Sequence, residues 1–340
     1  MSIIKEYLKS IEIGEVNTYK NMTTVEIKGM NFPEIKYITL KEAMNKDLVE
    51  ITEVNESGSV PTLNVLNKGD LPILLFDGEE LKGAKQNRVL NTTVLIPEHT
   101  EQEIPVSCVE QGRWDYASPQ FQESGTVASS KVRMAKNVSV SASLKENDSY
   151  RSNQGEVWDK VEELCFCSDV QSPTSAMNDV FEAKSDDISD YIKEFPFSNQ
   201  NGILIFINNE LKGMEFLSTE ANYENYHEKI IKSYSIDALI DIPKENVQEN
   251  NIQKKNIQDI DFVKESKEFI DEIATIKIVE KPSVGYGYDC RFVNENIAGA
   301  ILVHENSIIH GAFFKKINEE SDFDEEVVSS SQRARNYRIY

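Results

Sequence analysis

Between Asp77 and Trp114 the chain reads DGEELKGAKQNRVLNTTVLIPEHTEQEIPVSCVEQGRW, and most of its candidate chemistry lies there. Asp77, Glu79 and Glu80 offer hard oxygen ligands suited to a divalent cation such as Mg²⁺, and either glutamate suits general-base work. Lys82, Lys85 and Arg88 follow at once, so mutual ion pairing can satisfy the same carboxylates. Lys85, Asn87 and Arg88, with Arg113 and Trp114, form a set able to read an anion and a ring. Arginine grips phosphate in bidentate fashion, asparagine meets sugar or base edges, and tryptophan stacks. The same side chains also fit a polar network bracing neighbouring strands, with Trp114 packed at a core edge. Cys108 and Glu110 share one strand face by the two-residue period. As a nucleophile Cys108 would need an adjacent base, which no motif supplies; a buried strand cysteine is otherwise inert. His310 is a second candidate for proton transfer or a structural histidine. Tyr150-Arg151-Ser152-Asn153-Gln154 leads into a helix carrying Trp158. There, free backbone N–H groups favour an anion, and Ser152 or Asn153 can equally cap the helix.

These residues need a scaffold. Ile73 to Phe76 is an apolar run of strand length, and Asp77-Gly78 is a type I′ hairpin signal. The return strand, Glu79 to Arg88, is polar on both faces and must be satisfied by other charged side chains or by a ligand. The frame of apolar strand, tight turn, return strand and glycine recurs at 204–213 and, more loosely, at 301–311. Common hairpin geometry explains such a recurrence, as does a duplicated α+β unit. Helical spacing predicts helices over Ile3–Ile13, 40–46, 131–144, 152–164, 174–194, 223–234 and 266–273. Strands are expected over 22–29, 48–54, 60–66, 91–97, 103–109, 202–207, 211–216, 274–279, 288–293, 298–303 and 308–314. The expected architecture is a single α+β domain over 1–317. It has a β-rich part (1–114), a helical part (115–197) and an α/β part (198–317) with an exposed loop at 245–261. A flexible tail at 318–340 follows. Asp115 to Ser130 is placed to act as a lid or as a plain connector.

Composition narrows the function classes. The chain of 340 residues carries 36 basic and 58 acidic residues, a net charge of −22, which repels a nucleic-acid backbone. A polymeric nucleic acid is therefore not the expected partner. The N-terminus has no apolar signal core and no run approaches a membrane span, so no membrane partner is expected. Cys108, Cys165, Cys167 and Cys290 contain no CxxC pair. Together these features suggest a reducing cytoplasm.

Four segments occur in order, DGEELKGAKQNRVLNTT, IPVSCVEQGRW, SYRSNQGEVWD and SPTSAM. They resemble the signature segments of the ARG and rhodanese-phosphatase-superfamily-associated protein domain family, where ARG stands for ADP-ribosylglycohydrolase. The resemblance runs from about Leu71 to Met177 and more weakly through Gly202-Ile-Leu-Ile, Tyr234 to Ala238 and His310 to Phe313. It implies an association with enzymes that handle ADP-ribose and phosphate rather than a reaction of its own. The leading expectation is thus a pocket that binds a nucleotide-like anion such as ADP-ribose or an NAD-derived molecule, with hydrolysis or group transfer on it left open. A non-catalytic sponge or sensor, or a protein–protein module, are the alternatives.

Overall fold

The computed structural model describes residues 2–32, 35–242 and 260–316. The first third supplies α1 (Ser2–Ser10), β1 (Glu12–Tyr19), β2 (Met22–Lys28), β3 (Ile38–Thr39), α2 (Leu40–Asn45), β4 (Val49–Glu53), β5 (Thr62–Asn67), β6 (Ile73–Leu75), β7 (Glu79–Gly83), β8 (Arg88–Leu90), β9 (Val94–Ile96) and β10 (Thr100–Cys108). The centre holds β11 (Phe121–Val127), α3 (Ser130–Asn147), α4 (Gln154–Cys167), α5 (Met177–Ala183) and α6 (Ser185–Glu194). The last third adds β12 (Gly202–Ile207), β13 (Glu210–Leu217), α7 (Glu220–Ile240), α8 (Phe262–Thr275), β14 (Ile278–Pro282), β15 (Tyr288–Val293), β16 (Ile297–His304) and β17 (Ser307–Lys315). The fold is α+β, as the sequence pattern implies.

An eight-stranded sheet, ordered β1-β2-β12-β13-β17-β16-β15-β14, joins the N-terminal hairpin to the C-terminal strands. Both of its faces are covered. Tyr223, Ile230 and Tyr234 of α7 pack on Ile203, Ile205 and Ile207. From the other side α1 and α8 bring Tyr7, Leu8, Phe269 and Ile273 onto Leu204, Phe206 and Phe216. Burial on both faces is why β12, GILIFI, is apolar without alternation. A six-stranded sheet, β11-β7-β8-β10-β5-β4, and a small one, β3-β6-β9, carry the DGEE-to-GRW stretch. No helix among the described residues is long and apolar enough to cross a membrane.

The expected hairpin at Asp77-Gly78 does not form. β6 pairs with β3 and β9, whereas β7 pairs with β11 and β8, so the turn carries the chain from one sheet to another. The Glu79 N–H donates to the Phe76 carbonyl at 3.0 Å, and of the central pair only Gly78 has positive φ, +76°. That is the type II pattern, which does not match strand twist as a type I′ turn does. The two later copies of the frame are true hairpins. Asn208-Asn209 (52°, 66°) and Glu305-Asn306 (47°, 59°) have positive φ at both positions, joining β12 to β13 and β16 to β17.

Other boundaries shift too. The helix expected over Ile3–Ile13 ends at Ser10, whose hydroxyl donates to the Tyr7 carbonyl; Glu12 onward is edge strand β1, too polar to show alternation. Thr275 ends α8, so the strand expected from 274 starts at Ile278. The stretch 115–130 is neither lid nor plain connector, because β11 within it pairs with β7 as the sheet's outer strand. Of the expected loop 245–261 only 260 and 261 are described, where Asp261 caps α8; the tail 318–340 lies outside the described residues.

Candidate functional site

Registers Leu81↔Arg88 and Arg88↔Cys108 stack Arg88 between β7 and β10 in the middle of the six-stranded sheet. Its side chain is wholly buried. Nη1 donates to Gln86 Oε1 at 3.0 Å and to the Asn87 carbonyl at 3.5 Å. Nε and Nη2 have no partner among the described residues. Two other arginines show what that edge does when filled. Arg113 donates from Nε (2.9 Å) and Nη2 (2.6 Å) to the two oxygens of Glu110. Arg291 does the same to Asp289 at 2.5 and 2.7 Å. Arg88 presents the same fork with nothing in it. Burial pulls its pKa down from the ordinary guanidinium value. The Trp114 ring, 46 % exposed, lies 5.6 Å above the guanidinium and offsets part of that desolvation.

Around this fork the sequence-selected residues divide into those beside the Trp114 ring and those that brace the strands. The Lys85 ammonium lies 5.3 Å from the Trp114 ring and 4.9 Å from Tyr116, and donates to the Glu56 and Ser57 carbonyls. Glu110 is a brace: it accepts from Arg113, from the Asn87 N–H at 3.0 Å and from the Thr174 hydroxyl at 2.9 Å. Burial would raise its pKa, but these hydrogen bonds outweigh it and hold the carboxyl below its usual range. Asn87 Oδ1 accepts from Arg113 Nη2 at 3.2 Å, closing the network. The Gln154 amide clasps the Cys108 backbone with two 2.8 Å hydrogen bonds, and the Ser152 hydroxyl meets Ser107 at 2.5 Å. Asn153, not Ser152, caps α4. These contacts make the SYRSNQG segment a clamp on β10. Arg151 is exposed, and Trp158 lies beside the Cys108 thiol, whose pKa burial pushes up. A raised thiol pKa works against nucleophilic use.

Asp77, Glu79 and Glu80 lie in separate surroundings, so the shared cation site expected of them does not assemble, and His310 lies near Asp77. Asp77 pairs with Arg133 at 3.2 Å and with Lys136, while Arg133 reaches on to Glu215 at 2.5 Å. Lys136 also donates to the Leu90 and Asn91 carbonyls, and burial lowers its pKa to about 8. The Thr93 hydroxyl accepts from the Asp77 N–H at 3.1 Å and shares a hydrogen bond with His310 Nδ1 at 2.7 Å. His310 Nε2 faces Glu215 at 3.7 Å, and burial favours the neutral imidazole. The cavity lined by Asp77, Thr93, Asn137, Asp289 and His310 has room for about one water molecule. Glu79 and Glu80 point to opposite faces of β7. Glu79 pairs with Lys229 at 2.5 Å, and Lys229 with Glu123 at 2.7 Å. Glu80 accepts from the Thr126 hydroxyl at 2.8 Å inside an irregular pairing of β7 with β11, and burial pushes its pKa up to about 7. No cluster of three or more potential metal-ligating His, Cys, Asp or Glu occurs among the described residues.

Sequence reading missed Glu53, Arg133, Lys136, Glu215 and Lys229. Arg133 and Lys136 stand three apart on α3, on the face that also buries Val132 and Val140. Glu215 and Glu53 each occupy a core-facing slot of a strand, where alternation calls for an apolar side chain. A charge at a core position was the available signal.

Fold and site together define a mixed α+β protein with buried ion-pair networks between its sheets and, among the described residues, a buried arginine, Arg88, that lacks a carboxylate partner. The chain belongs to the ARG and Rhodanese-Phosphatase-superfamily-associated Protein domain family, whose model matches residues 10–314. That match extends well to both sides of the Leu71 to Met177 segments. No curated protein and no solved structure matches the chain.

Proposed function

We propose that the protein binds a nucleotide-like anion, with ADP-ribose or an NAD-derived molecule as the leading candidate, at the Arg88–Trp114 end of the six-stranded sheet. The observation that carries this reading is the empty Nε/Nη2 fork of Arg88. A desolvated guanidinium without an anion is costly, and this edge is the one that binds carboxylate or phosphate in bidentate fashion. Trp114 and Tyr116 supply exposed aromatic surface for a ring, and Lys85 adds positive charge between them. Trp114 covers the fork, so ligand entry moves the indole, and stacking on it is the natural bound arrangement.

Binding without turnover is the better-supported form of this reading. Glu79 is committed to Lys229, Glu110 to Arg113, and the Cys108 thiol is held protonated, which leaves none of them an activated base or nucleophile at the fork. The buried Cys108 and Cys290 suit a reducing cytoplasm as the place of action.

Thermal-shift and calorimetric titration with ADP-ribose, NAD, ADP and inorganic phosphate, with and without Mg²⁺, tests the proposal. Binding stabilises by RT ln(1 + [L]/Kd), about 2.7 kcal/mol at a hundredfold excess over Kd. Arg88→Lys removes the fork and is expected to weaken binding about tenfold or more. Chromatography of the released ligand separates a sponge from an enzyme. If no ligand shifts the protein, the proposal fails.

A further inference from the structure

Glu53 ends β4 on the same face as Val49 and Ile51, so a carboxylate stands where the strand's alternation places core. It is 9 % exposed. Oε1 accepts from the Lys85 N–H at 3.3 Å, and Oε2 has no partner among the described residues. The loop above it is fixed: the Gly58 N–H donates to both oxygens of Asn55 at 3.0 Å, holding Gly58 at φ +76°. A Cβ on Gly58 would lie 3.2 Å from Glu53 Oε2 and 3.2 Å from Trp114 Cζ2. Those two 3.2 Å distances put the unpartnered carboxylate oxygen within about 6.4 Å of the same indole that covers the unpartnered fork of Arg88. The two charges attract each other yet form no ion pair within 4.0 Å, because Lys85 anchors one and Gln86 the other. One side offers a free acceptor and the other two free donors.

We propose that the ligand of this site is an anion bearing a hydroxyl group beside its charge. Arg88 takes the anionic oxygens through Nε and Nη2, and Glu53 Oε2 accepts a hydrogen bond from the hydroxyl. This rests on the anion-binding reading and deepens it, since a sugar phosphate carries both groups and a bare anion carries one. Glu53 thereby becomes a specificity residue.

The test compares ribose 5-phosphate with tetrahydrofurfuryl phosphate, the same ring and phosphate without the hydroxyls, on the full chain by calorimetry. Wild-type protein is expected to prefer ribose 5-phosphate by about tenfold or more, the worth of a hydrogen bond to a charged acceptor. In Glu53→Gln the amide carbonyl stays on the Lys85 N–H and an NH₂ group replaces the acceptor. The preference should then shrink to about threefold or less, with tetrahydrofurfuryl phosphate affinity unchanged or higher, since a negative charge near the phosphate is removed. Equal affinities in the wild type, with both lost in Arg88→Lys, would overturn the hydroxyl inference and leave the anion site standing. If neither phosphate binds and Arg88→Lys changes nothing, the anion site fails as well. A wild-type preference that survives Glu53→Gln intact assigns the hydroxyl to another residue and overturns the role given to Glu53.

Discussion

Two wholly buried arginines, Arg88 and Arg133, illustrate how much a charge depends on its partners. Arg133 is gripped by Asp77 and by both oxygens of Glu215, whereas Arg88 has only the neutral oxygens of Gln86 and Asn87. Truncating the first leaves Glu215 without its arginine and Asp77 with Lys136 alone, and removing one partner from a buried pair costs about 3–5 kcal/mol. Truncating the second removes a desolvated cation that has no carboxylate within 4.0 Å among the described residues and only the more distant attraction of Glu53 and Glu110. Arg133→Met should therefore lower unfolding stability in urea by about that amount, while Arg88→Met should leave it unchanged or raise it by about 1 kcal/mol. A marked loss of stability in Arg88→Met would show that its guanidinium is satisfied in the free protein. The sequence displayed Arg88 plainly, as a cation in a strand polar on both faces. It did not display Arg133 or Glu215, because single charges inside otherwise ordinary elements look like solvated positions until the partner elements are known.

Elements were legible where one periodicity decided them, and ambiguous where a turn alone had to say which strands pair. The Asn208-Asn209 hairpin follows from local chemistry, since asparagine tolerates positive φ at both central positions, whereas at Glu305-Asn306 only Asn306 carries that signal. Asp77-Gly78 carries the same signal and yields a sheet-to-sheet corner, because tertiary pairing of β6 with β3 and β9 overrides it. Edge strand β1 escaped notice for a related reason: an exposed edge need not alternate. The corner has its own requirement. Gly78 sits at φ +76°, and a Cβ there would lie 2.8 Å from Cγ and Cδ of Arg133. Gly78→Ala should cost about 2 kcal/mol or more, from left-handed backbone strain together with displacement of the Arg133–Asp77 pair. Thermal unfolding measures it. A neutral result would mean that the corner relaxes without disturbing Arg133.

At the scale of the whole molecule, a chain of net charge −22 keeps several carboxyls out of water, so its stability must respond to pH through those few groups. Burial raises Glu80 from its ordinary 4.5 to about 7, and Asp237 from 3.8 to about 6. A carboxyl with a raised folded pKa binds its proton more tightly when folded than when unfolded. Its contribution is complete below the unfolded pKa and is lost as pH climbs through the folded one. These two groups thus make the protein less stable between about pH 4.5 and 7, against the usual direction for paired carboxylates such as Asp77, whose pKa is lowered. Glu80→Gln isolates one of them, because an amide keeps an acceptor for the Thr126 hydroxyl and cannot ionise. Wild type and variant should be nearly equal in stability at about pH 5, and the variant should be more stable by about 1–3 kcal/mol at about pH 8. Urea unfolding of both proteins across that range reads the difference directly. A gap that stays constant with pH would mean that Glu80 titrates normally, with solvent reaching the β7–β11 irregularity. A gap that opens with pH would place a buried, proton-holding carboxyl in the sheet that also carries Arg88.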